Sequence, residues 1–426
     1  MIKFKNNQIF KSEYVRDSAI LLTSNVVSQS IGLLVYPFLT RIYAASDFGL
    51  INLFMSIGGI VSIFATADYH NAIVLPDNDK KAVATFQLGF LISAVVFVAT
   101  LIASLFGVHI AALFSTPALA DFLFFMPFYV WFLALWNLYN YWYLRTKNYT
   151  QIALYSISQS VSASAIKIGF GIGGFLHWGL LVGTILGQLT ATLGSIIPKF
   201  KKNGQQLLQV DRLEIKEVAQ TYSNFPKFSL IRSIVVNLSG NLPILLLTPY
   251  FLLSDIGFFG MALVLALRPI NMISSALYQS LYPKLNTKYI AGEHIMPFFK
   301  KFTTRSLLII FPSFLVLYFL LPQLTGFILG AKWEYTGKLI QLMLPWLLLN
   351  ISINSLAFMP DIFGKQKIEL WFEIAAIIVN FCALIVGIYT LNFYGCIALF
   401  SATSSFVIVA RGLWFYSFIR IYEKSL

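Results

Sequence analysis

Charge is scarce in this chain, and acid is scarcer than base. Only 11% of the 426 residues are charged, with 17 Asp and Glu against 30 Lys and Arg. Beside 58% apolar residues, that shortage excludes a water-soluble globular fold, because no core of this size could hide the apolar surface. Cysteine is reduced to Cys382 and Cys396, both in the last two apolar runs and without metal or redox spacing, which excludes a disulfide framework. Catalytic groupings are missing as well: no Ser–His–Asp set, phosphate-cradling glycine loop, Walker motif, metal-ligand cluster or glycosyltransferase-like acidic pair occurs. The chain therefore reads as a non-enzyme with no cofactor: ATP hydrolysis cannot power transport unless a partner supplies it, and coupling to H+ or Na+ is the alternative left open.

What is abundant is long hydrophobic sequence. Runs of about 20 residues, enough to cross a bilayer, fall near 18–40, 48–67, 83–105, 118–144, 150–172 and 177–198, and again near 226–252, 255–281, 302–329, 336–361, 366–389 and 394–419. The expectation is an all-α integral membrane protein of twelve transmembrane helices. The first run is too long for the apolar core of a cleaved leader. With twelve spans, 23 of the 30 Lys and Arg share the side of the N-terminus, only Arg41, Lys332 and Lys338 lie opposite, and Lys167, Arg232, Arg268 and Arg411 fall inside spans. Basic residues mark the cytoplasmic face, so both termini are expected there. The net charge of +13 is then a topology signal scattered over short segments, and no nucleic acid partner is implied.

The polar stretch "KFKKNGQQLLQVDRLEIKEVAQTYSNF" separates two groups of six spans and sets expected lobes at 1–205 and 206–426. Landmarks recur between them: Asp47-Phe48-Gly49 and Asp255-Ile256-Gly257, Pro76 and Pro283, Arg145/Lys147 and Lys365/Lys367. Because six is even, the repeats are parallel, as in transporters whose pathway runs between two lobes.

"LTRIYAASDFGLINLF" (39–54) followed by "ADYHNAIVLPDNDKKA" (67–82) resembles the start of the polysaccharide flippases, Wzx-type O-antigen translocases of the superfamily that includes MATE-type exporters. Tyr69, Ala72, Ile73, Val74, Leu75 and Pro76 keep that pattern, while His70 stands where the family often has Glu. The resemblance implies a MATE-like fold and a bacterial inner-membrane protein. Its cargo would be an undecaprenyl-pyrophosphate-linked oligosaccharide, an O-antigen or related repeat unit, moved from the cytoplasmic to the periplasmic leaflet. Membrane lipid, a glycan polymerase and a chain-length regulator are the implied partners.

The residues themselves point to an anionic cargo. Arg268 sits in the middle of "GFFGMALVLALRPINMISSALYQSLY", with about 17–21 Å of helix on either side. A charge so placed is costly and marks a wet pathway or a partner. Pro269 beside it frees the Leu265 carbonyl from the helix ladder. Arg232, Lys167 and Arg411 are the other expected cationic contacts, each able instead to snorkel. Polar rows accompany them: Asn25 and Gln29 on span one, Ser229, Ser233, Asn237 and Asn241 on span seven, Asn271, Ser275 and Gln279 on span eight, Tyr155, Gln159 and Lys167 on span five. Each row is one helical stripe that would bond sugars or bind helices together. Glu373 and Asp361 are the expected ion-coupling carboxylates, with Glu369 near them. The rival reading is an ion-coupled multidrug or small-molecule exporter of the MATE type, which would require an essential buried carboxylate. A glycan polymerase would carry a large periplasmic loop, and a scaffold would tolerate loss of every intramembrane cation.

Overall fold

In a computed structural model the described residues, 7–208, 211–424 and 426, form helices and turns with no strand among them. Lys3 and Lys5, part of the N-terminal basic cluster, lie outside the described residues. Among the described residues, ten helices are long and apolar enough to cross a membrane. The chain divides into two compact units, Met1–Tyr43 with Leu53–Ile234, and Ala44–Asn52 with Val235–Leu426.

The first unit opens with α1 (Asn7–Ile42) and α2 (Ala45–Phe64), continues through α3 (Asp79–Ser104), and follows it with two short helices, α4 (Gly107–Leu113) and α5 (Leu119–Leu123). Next come α6 (Met126–Arg145), α7 (Tyr149–Ile172), α8 (Leu176–Leu208) and the amphipathic α9 (Arg212–Thr221). Asp211 caps α9 by accepting from the Leu213 and Glu214 amides. α6 and α7, the fourth and fifth expected spans, are rich in Tyr, Trp, Ser and Gln and are therefore less apolar than the ten. The core between α3, α6 and the 3-10 segment Tyr69–Val74 is built on Ile73, Phe86, Leu138, Trp142 and Tyr143. Arg145 ties the same region together, bonding the Pro76 carbonyl and pairing with Asp79 at 2.9 Å.

α7 and α8 are joined most closely of all, and glycine is the reason. A Cβ on Gly183 would strike the Lys167 backbone and side chain, and one on Gly187 would strike Ala163. Small residues every fourth position let two helices touch backbone to backbone inside a membrane. Tyr43 completes the joint by donating to the Lys167 carbonyl at 2.6 Å.

A π-helical turn, Phe225–Ser229, leads into α10 (Leu230–Leu247), and the boundary between the units falls inside that helix. The second unit holds α11 (Leu253–Ile290), α12 (Met296–Leu329), α13 (Glu334–Ile353), the short α14 (Met359–Ile362), α15 (Gln366–Thr390) and α16 (Phe393–Glu423). Its core is one cluster around Phe259, Leu339, Met343, Leu347 and Phe400 and another around Leu285, Leu356, Phe358 and Phe415. α13 sits centrally, packed against α11, α12 and α16. The start of α2 belongs to this unit and lies on the start of α11: a Cβ on Gly49 would fall on the Leu253 carbonyl, and one on Gly257 on the Ala45 carbonyl.

Candidate functional site

Three groups of polar residues stand out within the apolar helices. The first is the face of α11 that carries Arg268. Asn271, Ser275 and Gln279 follow it at helical spacing, all three exposed, with Arg268 half-buried. A second face, about 100° around the same helix, runs from Leu265 through Pro269 to Ile273 and is apolar. One helix thus presents a polar stripe over about three turns of its middle and lipid-like residues beside it.

The second group lies inside the second unit. Arg411 on α16 pairs with Glu369 and, at 3.2 Å, with Glu373, both on α15. Its guanidinium also donates to the Asn354 side-chain oxygen at 3.1 Å. The Arg411 and Glu369 side chains are only 12% and 16% exposed, so the pair is held away from solvent, where breaking it would be costly. Arg411 and Glu373 border a cavity of about 210 Å³ to which Asn350, Asn380 and Ser404 contribute. Asn380 is fixed by hydroxyls from Thr403 at 3.0 Å and Ser404 at 3.2 Å. Two carboxylates against one guanidinium leave one negative charge, next to amide oxygens. A carboxylate group of that kind, with Glu373 at the cavity, suits a proton or a small hard cation.

This changes the reading of Arg411. Sequence spacing presents it as a cation to be met by cargo, and the fold gives it two carboxylates. α15 and α16 are consecutive antiparallel helices, and Glu373 and Arg411 are nearly equidistant from their turn at 391–392. Asp361 is not part of the group. It lies exposed on α14, in the connection before α15.

The third group centres on Asp68, which sequence spacing does not single out, and takes Ser229 and Ser233 from the span-seven row, so Ser233, expected to meet cargo, instead bonds a carboxylate of the protein. Asp68 is buried at 3% exposure, and its Oδ2 accepts from Ser229 at 2.6 Å and Ser233 at 2.9 Å. Ala67 and Asp68 both adopt left-handed backbone, with φ 46° and 62°, a conformation that costs a non-glycine residue about 1–2 kcal/mol. Two residues on, His70 Nδ1 meets the Thr66 hydroxyl at 2.6 Å and its ring abuts Tyr141. Burial lowers the His70 pKa, and the Asp68 charge opposes that fall. Tyr69 donates to the Ala219 carbonyl and Lys81 pairs with Glu217, so α9 is moored to the same corner.

The remaining expected contacts are dispersed. Arg232 is exposed on α10, and Asn241 donates back to the Asn237 carbonyl one turn earlier. Asn25 is exposed and Gln29 half-buried on α1. Lys167 is half-buried, its stem against Gly183. Two members of its row, Tyr155 and Gln159, both bond Gln188 of α8 and serve helix packing.

Comparison with known proteins adds the family. No curated protein matches the chain. Among solved structures, the lipid II flippase MurJ in an inward closed conformation aligns at 13% identity and TM-score 0.72, covering 94% of this chain and 87% of that one. An inward-facing multidrug resistance MATE family transporter of the MOP superfamily aligns at 13% identity and TM-score 0.67, covering 93% and 96%. A MOP superfamily transporter from Pyrococcus furiosus, described as having a binding pocket of reverse polarity, aligns at 13% identity and TM-score 0.53, covering 97% and 96%. At these identities the likeness is one of fold, a MATE-like all-α membrane architecture. Residues 38–337, well over half the sequence, match the family described as Polysaccharide biosynthesis protein, and the chain belongs to that family.

Proposed function

We propose that this protein is a flippase that carries an undecaprenyl-pyrophosphate-linked oligosaccharide, an O-antigen or related repeat unit, across a bacterial inner membrane by alternating access. Both termini are assigned to the cytoplasm, and the cargo enters from that leaflet. The observation that carries the reading is the α11 stripe, in which Arg268 sits mid-helix in line with Asn271, Ser275 and Gln279. A guanidinium offers a forked set of donors that fits a diphosphate, and amides and hydroxyls along one face fit sugar hydroxyls. Arg232 and Lys167 are assigned as auxiliary cations, and Asn25, Gln29, Asn237 and Asn241 as polar lining. Glu373, with Glu369 and Arg411, is assigned as the coupling site for H+ or Na+.

The test is genetic and chemical together. Deleting the gene abolishes surface polysaccharide on a carbohydrate stain. Arg268→Ala, at normal membrane abundance, fails to restore it, whereas Arg268→Lys restores part. Full display from Arg268→Ala would remove Arg268 from the mechanism.

A second reading has one observation in its favour. The carboxylates beside the α15–α16 cavity are what an ion-coupled exporter of cationic compounds requires. Arg411 offsets one of the two charges, and the family match is to polysaccharide biosynthesis, so the flippase is preferred. Drug hypersensitivity with intact surface glycan on deletion would reverse that order.

A further inference from the structure

α11 and α12 both pack along α13 yet scarcely touch each other. The result is a groove with α13 as its floor. Two cavities occupy it, of about 360 Å³ and 540 Å³, and they share Ile273 and Ile351. The larger part of the wall is hydrocarbon: Leu265, Pro269, Phe314, Leu317, Leu324 and Ile328, among others. Thr325 is the single polar side chain in that stretch, and its hydroxyl is returned to the Leu321 and Pro322 carbonyls. Ile273, Leu324 and Ile328 remain 37–48% exposed, so the groove is open along its side.

One end has a different chemistry. Lys284 of α11 and Lys301 and Arg305 of α12 line the second cavity. Among the described residues none of the three pairs with a carboxylate, although neighbouring cations are engaged: Lys288 with Glu293, and Lys300 over the Tyr416 ring. The lining therefore runs from three uncompensated cations into a trough without a charge.

Length decides the occupant. From Lys284 to Leu265 the lining covers about 28 Å of α11, and from Arg305 to Ile328 about 34 Å of α12. The hydrocarbon core of a bilayer is about 30 Å deep, so one leaflet is about 15 Å. An acyl chain of an ordinary phospholipid would fill half of such a trough. A single isoprenoid chain longer than a leaflet, with a phosphate at one end, would fill it all. We propose that this groove seats a polyprenyl phosphate carrier, its phosphate on Lys284, Lys301 and Arg305 and its chain along α11, α12 and α13. The inference rests on the flippase reading and supplies what that reading omits, a place for the tail and a first phosphate site at the Lys284 end, about 24 Å along α11 from Arg268, from which the headgroup passes on to Arg268 on the adjoining face. Apolar burial then holds the chain, and the cations orient it through charge-assisted bonds.

The full-length protein in detergent is offered undecaprenyl monophosphate or phosphatidylglycerol, each alone, and retained lipid is measured by native mass spectrometry. Undecaprenyl monophosphate is retained preferentially. Lys301→Ala with Arg305→Ala lowers its retention about a hundredfold, about tenfold per lost charged contact, and Leu317→Trp, which fills the trough, lowers it with the cations intact. Equal retention of phosphatidylglycerol, or retention unchanged in both variants, overturns the proposal. A photoreactive polyprenyl phosphate on the unaltered protein provides an independent check. Labelling confined to peptides of α11, α12 and α13 supports the groove, and labelling elsewhere overturns it. Failure of the flippase reading has a separate signature: normal surface glycan in the deletion strain, with lipid retention by the purified protein unaffected.

Discussion

Gly49 and Gly257 are reciprocal partners: each lies where the other's helix presents the carbonyl four residues earlier, Leu253 for Gly49 and Ala45 for Gly257. They are also the last residues of Asp47-Phe48-Gly49 and Asp255-Ile256-Gly257, the internal repeat visible in the sequence. The repeat thus meets itself at this point, and neither glycine can carry a side chain, because backbone rather than a flexible side chain stands in the way. Gly49→Ala or Gly257→Ala should each lower stability by about 1–3 kcal/mol through overpacking. Once one methyl has parted the helices, the second finds room, so the double variant should cost little more than either single one. Thermal unfolding of the four proteins in one detergent measures this, and simple additivity would contradict the reciprocal contact.

Arg411 should be the most damaging single truncation in the second unit. Arg411→Ala leaves Glu369 and Glu373 facing each other without their cation, at a cost of about 3–5 kcal/mol. Adding Glu369→Gln should recover a good part of the loss by removing one orphaned charge. Membrane abundance and melting temperature report both effects, and failure of the second substitution to rescue would mean that the guanidinium acts outside this pair.

Asp68 should discriminate among its replacements by both backbone and side chain. Asn tolerates the left-handed backbone and keeps one acceptor for Ser229 or Ser233, at an expected cost of about 1 kcal/mol. Ala loses the acceptor and strains the turn, and about 2–4 kcal/mol is expected. Equal melting temperatures for the two would separate the bonds from stability.

Acid should weaken the same corner through His70. Burial holds its folded pKa below the ordinary 6.5, so below 6.5 the unfolded chain takes up a proton that the folded chain refuses. Stability therefore rises with pH across that window and is lost as pH falls through it. The melting temperature should drop on going from pH 7 to pH 5, and His70→Gln should flatten the drop. An unchanged slope in that variant would assign the effect to other groups.

Much of the architecture is legible in the sequence because its signals are local. Twenty-residue apolar runs, proline beside Arg268 and the repeated Asp-x-Gly triplets are each read from neighbours in the chain. The α15–α16 ion group is legible in principle, since two helices joined by a short turn bring equidistant residues level. It stays hidden because Glu369 and Glu373 lie beside Lys365 and Lys367 in sequence and look like a surface cluster. Asp68 has no such signal. Its burial depends on left-handed backbone at a non-glycine pair and on hydroxyls more than 150 positions away. Ser229 and Ser233, before and within α10, are visible as a stripe, but periodicity says only that they share a face, not what stands opposite. The groove between α11 and α12 is equally hidden, since a gap between helices is a property of packing.

The glycine seam between α7 and α8 has a mechanical consequence. Helices that meet through side chains can roll or slide by swapping rotamers, but backbone against backbone offers no such slack at Gly183 and Gly187. The two helices form a single spar, pinned at one end by Tyr43. Whatever displaces Lys167 must carry α8 with it, so a small tug on one ammonium would be geared into the travel of an entire hairpin.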